Sequence, residues 1–152
     1  MTIQGTRFGT IDYISEDVVH FAEGLIGFSA LQHFVLLATK EGSPFRWLQS
    51  VDQPAVAFLV SDPNVYVESY HPVIADDLAL QLELDEATPT ILYTTVTIPP
   101  GNPQDMTLNL AAPIVINARS RQAKQLVLDD HAYTIRHRVF PAADLPGEKQ
   151  AA

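Results

Sequence analysis

Ile91-Leu92-Tyr93-Thr94-Thr95-Val96-Thr97-Ile98 is the stretch that decides the fold. In an extended chain Ile91, Tyr93, Thr95 and Thr97 share one side, and Leu92, Thr94, Val96 and Ile98 share the other. Both sides are aliphatic, aromatic or β-branched, the residue types that pack well on a pleated surface. The spacing predicts a strand over Thr90–Ile98. Pro89 before it and Pro99-Pro100 behind it bound the run, because proline cannot donate to a ladder.

The same punctuation recurs on either side. Pro44, Pro54, Pro63, Pro72, Pro89, Pro99-Pro100, Pro103 and Pro113 stand mostly about ten residues apart. That interval suits short strands joined by turns and would break helices repeatedly. Further strands are expected at Thr6–Ile14, Phe34–Thr39, Phe45–Ser50, Ala55–Ser61 and Val65–Tyr70. Met106–Leu110, Ile114–Asn117, Gln125–Leu128 and Tyr133–Phe140 complete the set. Nearly continuous apolar runs such as Ala55–Val60 suggest cover on both faces. One stretch departs from the pattern: Asp76 or Asp77 can cap a short helix through Leu78–Leu82. A second helical turn is expected at Ser29–His33, with Ser29 as its cap. The fold class is therefore all-β: a small antiparallel β-barrel, closed or partly closed, with one or two short helices, a sandwich being the other packing.

The 152 residues suit one domain, expected over 1–140, with 141–152 a polar, proline-punctuated tail expected to fray. An apolar content of 47% is too high for disorder. No apolar run approaches the roughly 20 residues of a membrane-spanning helix. Met1–Thr10 lacks the apolar stretch of a signal peptide, so a cytoplasmic protein is expected. The chain has no Cys, hence no disulfide, thiolate nucleophile or Cys-based metal site.

Charge is unevenly placed. The formal net charge is −9, yet residues 1–105 carry −11 and residues 106–140 carry +3. A field of that sign opposes nucleic-acid backbones and favours basic partners, so no direct nucleic-acid binding is expected. Val65-Tyr66-Val67-Glu68-Ser69-Tyr70 is followed by Asp76, Asp77, Glu83, Asp85 and Glu86. Aromatic residues beside dense acids suit a protein interface, where acidic rims steer a basic partner.

Catalytic patterns are weak. His20, His33, His71, His131 and His137 form no metal-ligating cluster, and no cofactor or metal is expected. The chain has no Gly-x-Ser-x-Gly elbow and no phosphate cradle; Gly24-Leu25-Ile26-Gly27 suits a tight loop. The carboxylate pairs Glu16/Asp17, Asp76/Asp77, Asp85/Glu86 and Asp129/Asp130 suit solvated caps better than an acid–base pair. A non-enzymatic protein is expected. The alternative kept open is a small-ligand-binding β-barrel module, which needs an enclosed apolar cavity.

Four blocks carry a family resemblance. Phe21-Ala22-Glu23-Gly24-Leu25-Ile26-Gly27-Phe28 comes first, then Pro44-Phe45-Arg46-Trp47-Leu48-Gln49-Ser50, then Ala57-Phe58-Leu59-Val60-Ser61-Asp62-Pro63. Leu108-Asn109-Leu110-Ala111-Ala112-Pro113-Ile114-Val115-Ile116-Asn117 follows, continued by Arg121, Lys124-Gln125-Leu126-Val127-Leu128 and Tyr133. In order and spacing, over roughly residues 4–138, these resemble the flagellar assembly factor FliW family. Ile26 and Arg138 stand where that family usually has proline.

The resemblance implies a barrel-like cytoplasmic protein that binds flagellin and the translational regulator CsrA. Free FliW-like protein sequesters CsrA and relieves repression of flagellin translation; accumulating flagellin captures it and restores repression. For the CsrA-facing surface the acids Glu68, Asp76, Asp77, Glu83, Asp85 and Glu86 are the candidates. For flagellin the apolar rim at Leu25, Ile26 and Phe28 is the candidate. Gly24, Gly27, Phe45, Trp47, Phe58, Asn109, Pro113 and Asn117 are expected to serve mainly the fold, the two asparagines by capping local backbone groups.

Overall fold

The computed structural model describes residues 1–129 and 132–140. Its strands are β1 (Thr2–Thr6), β2 (Gly9–Asp12), β3 (Val18–Phe21), β4 (His33–Ala38), β5 (Phe45–Ser50) and β6 (Ala57–Ser61). After helix α1 (Asp76–Gln81) come β7 (Thr90–Thr97), β8 (Thr107–Leu108), β9 (Ile114–Asn117), β10 (Gln122–Gln125) and β11 (His137–Arg138). Single 3₁₀ turns occupy Ser15–Asp17, Pro63–Val65 and Pro103–Asp105.

Seven strands close a barrel in the order β3-β4-β5-β6-β7-β9-β10. β7 makes the closure. One edge pairs with β6 through Val60–Thr95 and Ser61–Thr94. Its other edge is shared: Thr90–Tyr93 pair with β9, and Val96–Thr97 pair with β8. β8 then carries β11, so a three-stranded lip extends from the barrel wall. Every seam is antiparallel except β3–β10, where His20 and Phe21 run parallel to Gln122 and Ala123.

Alternation puts one face of each strand inside. Val19, Phe21, Phe34, Leu48, Val60, Ile114 and Ile116 fill the barrel with almost no exposure, joined by Leu36, Phe58, Ile91 and Tyr93. Among the described residues the barrel interior is filled by its own side chains, as expected for a barrel of so few strands. Three layers cover the outside. The β1–β2 hairpin packs Ile3, Ile11 and Tyr13 on Val18 and Val35. α1 packs Leu78 and Leu82 on Val115, Leu126 and Leu92. The segment Tyr66–Tyr70 packs on Leu108 and Leu110, with Tyr70 donating its hydroxyl to the Leu110 carbonyl at 2.6 Å.

Several expectations need correction, each because a tertiary or turn contact overrides local pattern. Thr6–Ile14 is no single strand: Phe8 N–H donates to Thr6 Oγ1, Gly9 takes φ 83°, and the chain reverses into the β1–β2 hairpin. Val65–Tyr70 is not a strand; Asp62 caps Asn64 N–H, a 3₁₀ turn follows, and Ser69 sits at φ 59°. Ser29–His33 forms no helix, because the Gln32 carbonyl accepts from Phe21 N–H and Asp52 holds the Gln32 and His33 amides. The cap of α1 is Ala75; Asp76 and Asp77 occupy its first turn, where their charge favours the helix dipole. The Gln125–Leu128 strand lies three residues earlier as β10, and Tyr133–Phe140 shrinks to β11. β3, too short to stand out from its neighbours, is held by β4 and β10. The proposed tail 141–152, Asp130 and His131 lie outside the described residues.

Candidate functional site

The acidic candidates fall on two neighbouring outer segments. Asp76, Asp77, Glu83, Asp85 and Glu86 all lie exposed along α1 and the turn behind it. Glu68 is exposed on the Tyr66–Tyr70 segment that covers the lip, apart from α1 along the chain. Leu78 and Leu82, one turn apart, bury α1 against β9. Leu80 therefore points outward, 81% exposed, three and four residues from Asp77 and Asp76. An exposed apolar side chain with Asp76, Asp77 and Glu83 three or four residues away is the feature sequence reasoning missed, although the helical period of Leu78, Leu80 and Leu82 contains it.

This acidic face is rigidly built. The helix ends in a Schellman arrangement: Leu84 N–H bonds to the Ala79 carbonyl at 2.8 Å and Glu83 N–H to the Leu80 carbonyl at 3.1 Å. Glu83 takes the left-handed conformation at φ 57°, where glycine is usual. Asp85 closes the next turn, accepting from Thr88 Oγ1 and Ala87 N–H, each at 2.8 Å. The Thr88 and Ala87 bonds, with Arg119 nearby, hold the Asp85 carboxyl below its ordinary value. Two cations border the face. Lys124 Nζ lies 2.9 Å from Glu23 Oε1 and 3.5 Å from Gln81 Oε1, and Arg119 reaches the Ala87 carbonyl at 3.4 Å.

Asn117 anchors the face from below. It is 2% exposed; its Nδ2 donates to the Leu82 carbonyl at 2.8 Å and the Glu83 carbonyl at 3.3 Å. Its Oδ1 accepts from Arg119 N–H at 2.8 Å and Ser120 N–H at 3.0 Å. The expected local capping is present, and the long-range tie to α1 goes beyond it. Asn109 accepts from Ala111 N–H at 3.2 Å, and Pro113 is buried just ahead of β9.

The apolar rim divides. Leu25 is 3% exposed and belongs to the barrel core, which corrects its expected place on the rim. Ile26 is 56% exposed, and Phe28 lies half-exposed with its ring 5.0 Å from that of Phe58. Gly24 at φ 66° and Gly27 at φ 84° set the loop's path. Gln125 pins it, accepting from Ile26 N–H at 2.9 Å and donating to the Ala112 carbonyl at 3.1 Å. Phe45 and Trp47 lie half-buried on β5, with the Arg7 guanidinium 4.4 Å over the Trp47 ring.

The remaining titratable groups are scattered. His33 Nδ1 lies 3.0 Å from Asp52 Oδ1, and His71 is an exposed loop residue. Among the described residues no group of three His, Cys, Asp or Glu is placed to hold a metal ion. Nor is any described helix long and apolar enough to cross a membrane.

The sequence model of the FliW protein family matches residues 2–139. The chain belongs to the FliW family. It is 39% identical over 132 residues to the flagellar assembly factor FliW of Magnetococcus marinus, covering 87% of this chain and 82% of that one. It is 40% identical over 143 residues to the FliW of Desulfitobacterium hafniense, covering 94% and 93%. A crystal structure of the flagellar assembly factor FliW superposes with a TM-score of 0.86 at 34% identity, covering 95% of this chain and all of that one. Membership gives the four blocks that carried the resemblance a structural meaning. In this FliW chain they supply the 24–28 loop, the adjacent strands β5 and β6, and the β8–β9 wall that carries Asn109, Pro113 and Asn117.

Proposed function

We propose that this chain acts in the cytoplasm as a non-catalytic flagellar assembly factor that binds two proteins, flagellin and CsrA. By holding CsrA it relieves repression of flagellin translation, and by being captured by flagellin it lets repression return. The relatives' shared name supports the flagellar assembly role. The observation that supports a CsrA-facing surface is the acidic face on α1: five exposed carboxylates on the helix and the turn behind it, with Leu80 exposed among them in sequence and the helix end tied down by Asn117. An RNA-binding regulator presents basic surface, and complementary charge speeds encounter while an apolar centre slows dissociation.

The test is a reconstituted translation reaction programmed with a flagellin message. Added CsrA represses synthesis, adding this protein at equimolar level restores it, and purified flagellin then suppresses it again. Repression that persists at a tenfold excess of this protein contradicts the proposal.

A further inference from the structure

Odd-numbered residues of β7 face the barrel interior, where Ile91 and Tyr93 join the core. By the two-residue period Thr95 and Thr97 continue that face past the barrel's end. The lip extends it sideways: Thr97 pairs with Thr107 and Thr107 with Arg138, so their side chains stand in one row. A cleft of about 610 Å³ runs over this row to Arg136. Beside it, sharing Thr95, Thr97 and Asn109, opens a slot of about 270 Å³ lined by Ile26, Phe58, Leu59 and Val96.

The slot has a cause in the ladder. β6 starts at Ala57 and β7 runs to Thr97, yet only Val60–Thr95 and Ser61–Thr94 pair. The two strands part, and their extended backbones border the mouth. Charge completes the site. Arg138 is neutralised by Asp105 at 2.9 Å, whereas Arg136 is exposed and has no ion pair among the described residues. In a chain of net −9, the charged residues lining this mouth are Asp105, Arg136 and Arg138, one cation in excess.

We propose that the barrel mouth docks an extended polypeptide segment whose apolar side chain enters the Ile26–Phe58–Leu59 slot while a neighbouring carboxylate meets Arg136. Mouths of β-barrels are common ligand sites, and an apolar pocket beside a guanidinium with no ion pair among the described residues reads an apolar–acidic pair. The occupant is a segment of flagellin, which rests on the function proposed above; CsrA, the basic partner, is repelled by Arg136 and suits the opposite charge on α1.

The experiment is calorimetric titration of purified flagellin into the full chain and into Ile26→Asp and Arg136→Glu, both at exposed positions, with CsrA titrated in parallel. Circular dichroism verifies that each variant is folded. The expected result is at least a tenfold loss of flagellin affinity in each variant, with CsrA affinity within twofold of the parent. Flagellin binding by the parent that both variants retain within twofold overturns the mouth while leaving the function standing. Loss of CsrA affinity in both variants overturns the occupant. No flagellin binding by the parent overturns the function and, with it, the occupant.

Discussion

Asn117 and Leu82 are joined by a buried hydrogen bond of 2.8 Å from the side-chain amide on β9 to the C-cap carbonyl of α1, across 35 residues of chain. The same side chain closes the turn into Arg119 and Ser120. One amide therefore fixes both the end of the acidic helix and the loop beneath it. A buried amide is favourable only when its donors and its acceptor are all used, and here they are.

Asn117→Ala leaves two amide N–H groups and two carbonyls without their partner. A loss of about 3 kcal/mol is expected in chemical denaturation. Asn117→Asp separates the two roles. It keeps the acceptor for Arg119 and Ser120 but cannot donate to Leu82 or Glu83, so α1 loosens while the loop remains capped. Faster amide exchange in residues 76–84 than in β9 is the expected outcome.

Glu83 occupies a left-handed position, φ 57°, that costs a side-chain-bearing residue about 1 kcal/mol. Glu83→Gly relieves that strain and completes the usual helix stop, so thermal stability rises by up to about 1 kcal/mol, offset in part by glycine's greater unfolded-state freedom. If the carboxylate serves a partner, the same variant binds CsrA a few-fold more weakly. Raised stability with unchanged affinity removes Glu83 from the interface.

The loop glycines are unequal. A Cβ at Gly24 collides with the Phe28 carbonyl oxygen and falls 2.6 Å from Ser29 Cα, both backbone atoms, at φ 66°. At Gly27, φ 84°, a Cβ meets nothing within 4 Å. Gly27→Ala is expected to cost about 1–2 kcal/mol, the conformational strain alone. Gly24→Ala adds the clash and costs about 3 kcal/mol or more, with Leu25 displaced from the core. Calorimetric melting of the two variants checks the order.

Asp52 gives the fold an acid limit. Burial alone pushes its carboxyl up, but bonds from Gln32 N–H, the His33 ring and His33 N–H outweigh that and hold it below the ordinary carboxylate value. The folded state therefore binds its proton more weakly than the unfolded chain does. The stabilisation is full above the unfolded value near pH 4 and is lost as pH falls through the lower folded value. Asp52→Asn is expected to be about 1 kcal/mol less stable at neutral pH, with the difference narrowing below about pH 4. A constant difference across that range assigns the loss to packing.

Legibility followed the range of the deciding contact. Phe45–Ser50 and Ile114–Asn117 were readable to the residue, because prolines bound them and both of their faces are packed. The short helix through Leu78–Leu82 was likewise readable, while its buried face emerged only with the packing of Leu78 and Leu82 on β9. The strand Val18–Phe21 was not readable, since its partners β4 and β10 lie far along the chain. Leu25 looked like rim from its loop and proved to be core, because it packs into the barrel cluster contributed by distant strands. Of the candidate surface, the acids were plain in composition. The Leu80 centre needed the helix, and the mouth needed the early end of the β6–β7 ladder, which no local pattern encodes.

The central claim is that the acidic face on α1 binds CsrA. Calorimetric titration of CsrA into the parent and into the double variant Asp76→Lys/Asp77→Lys, at low and moderate salt, tests it most directly. The expected result is micromolar or tighter binding by the parent that weakens as salt rises, and a loss of at least tenfold in a double variant that remains folded. Equal affinity for parent and variant, or binding indifferent to salt, would contradict it.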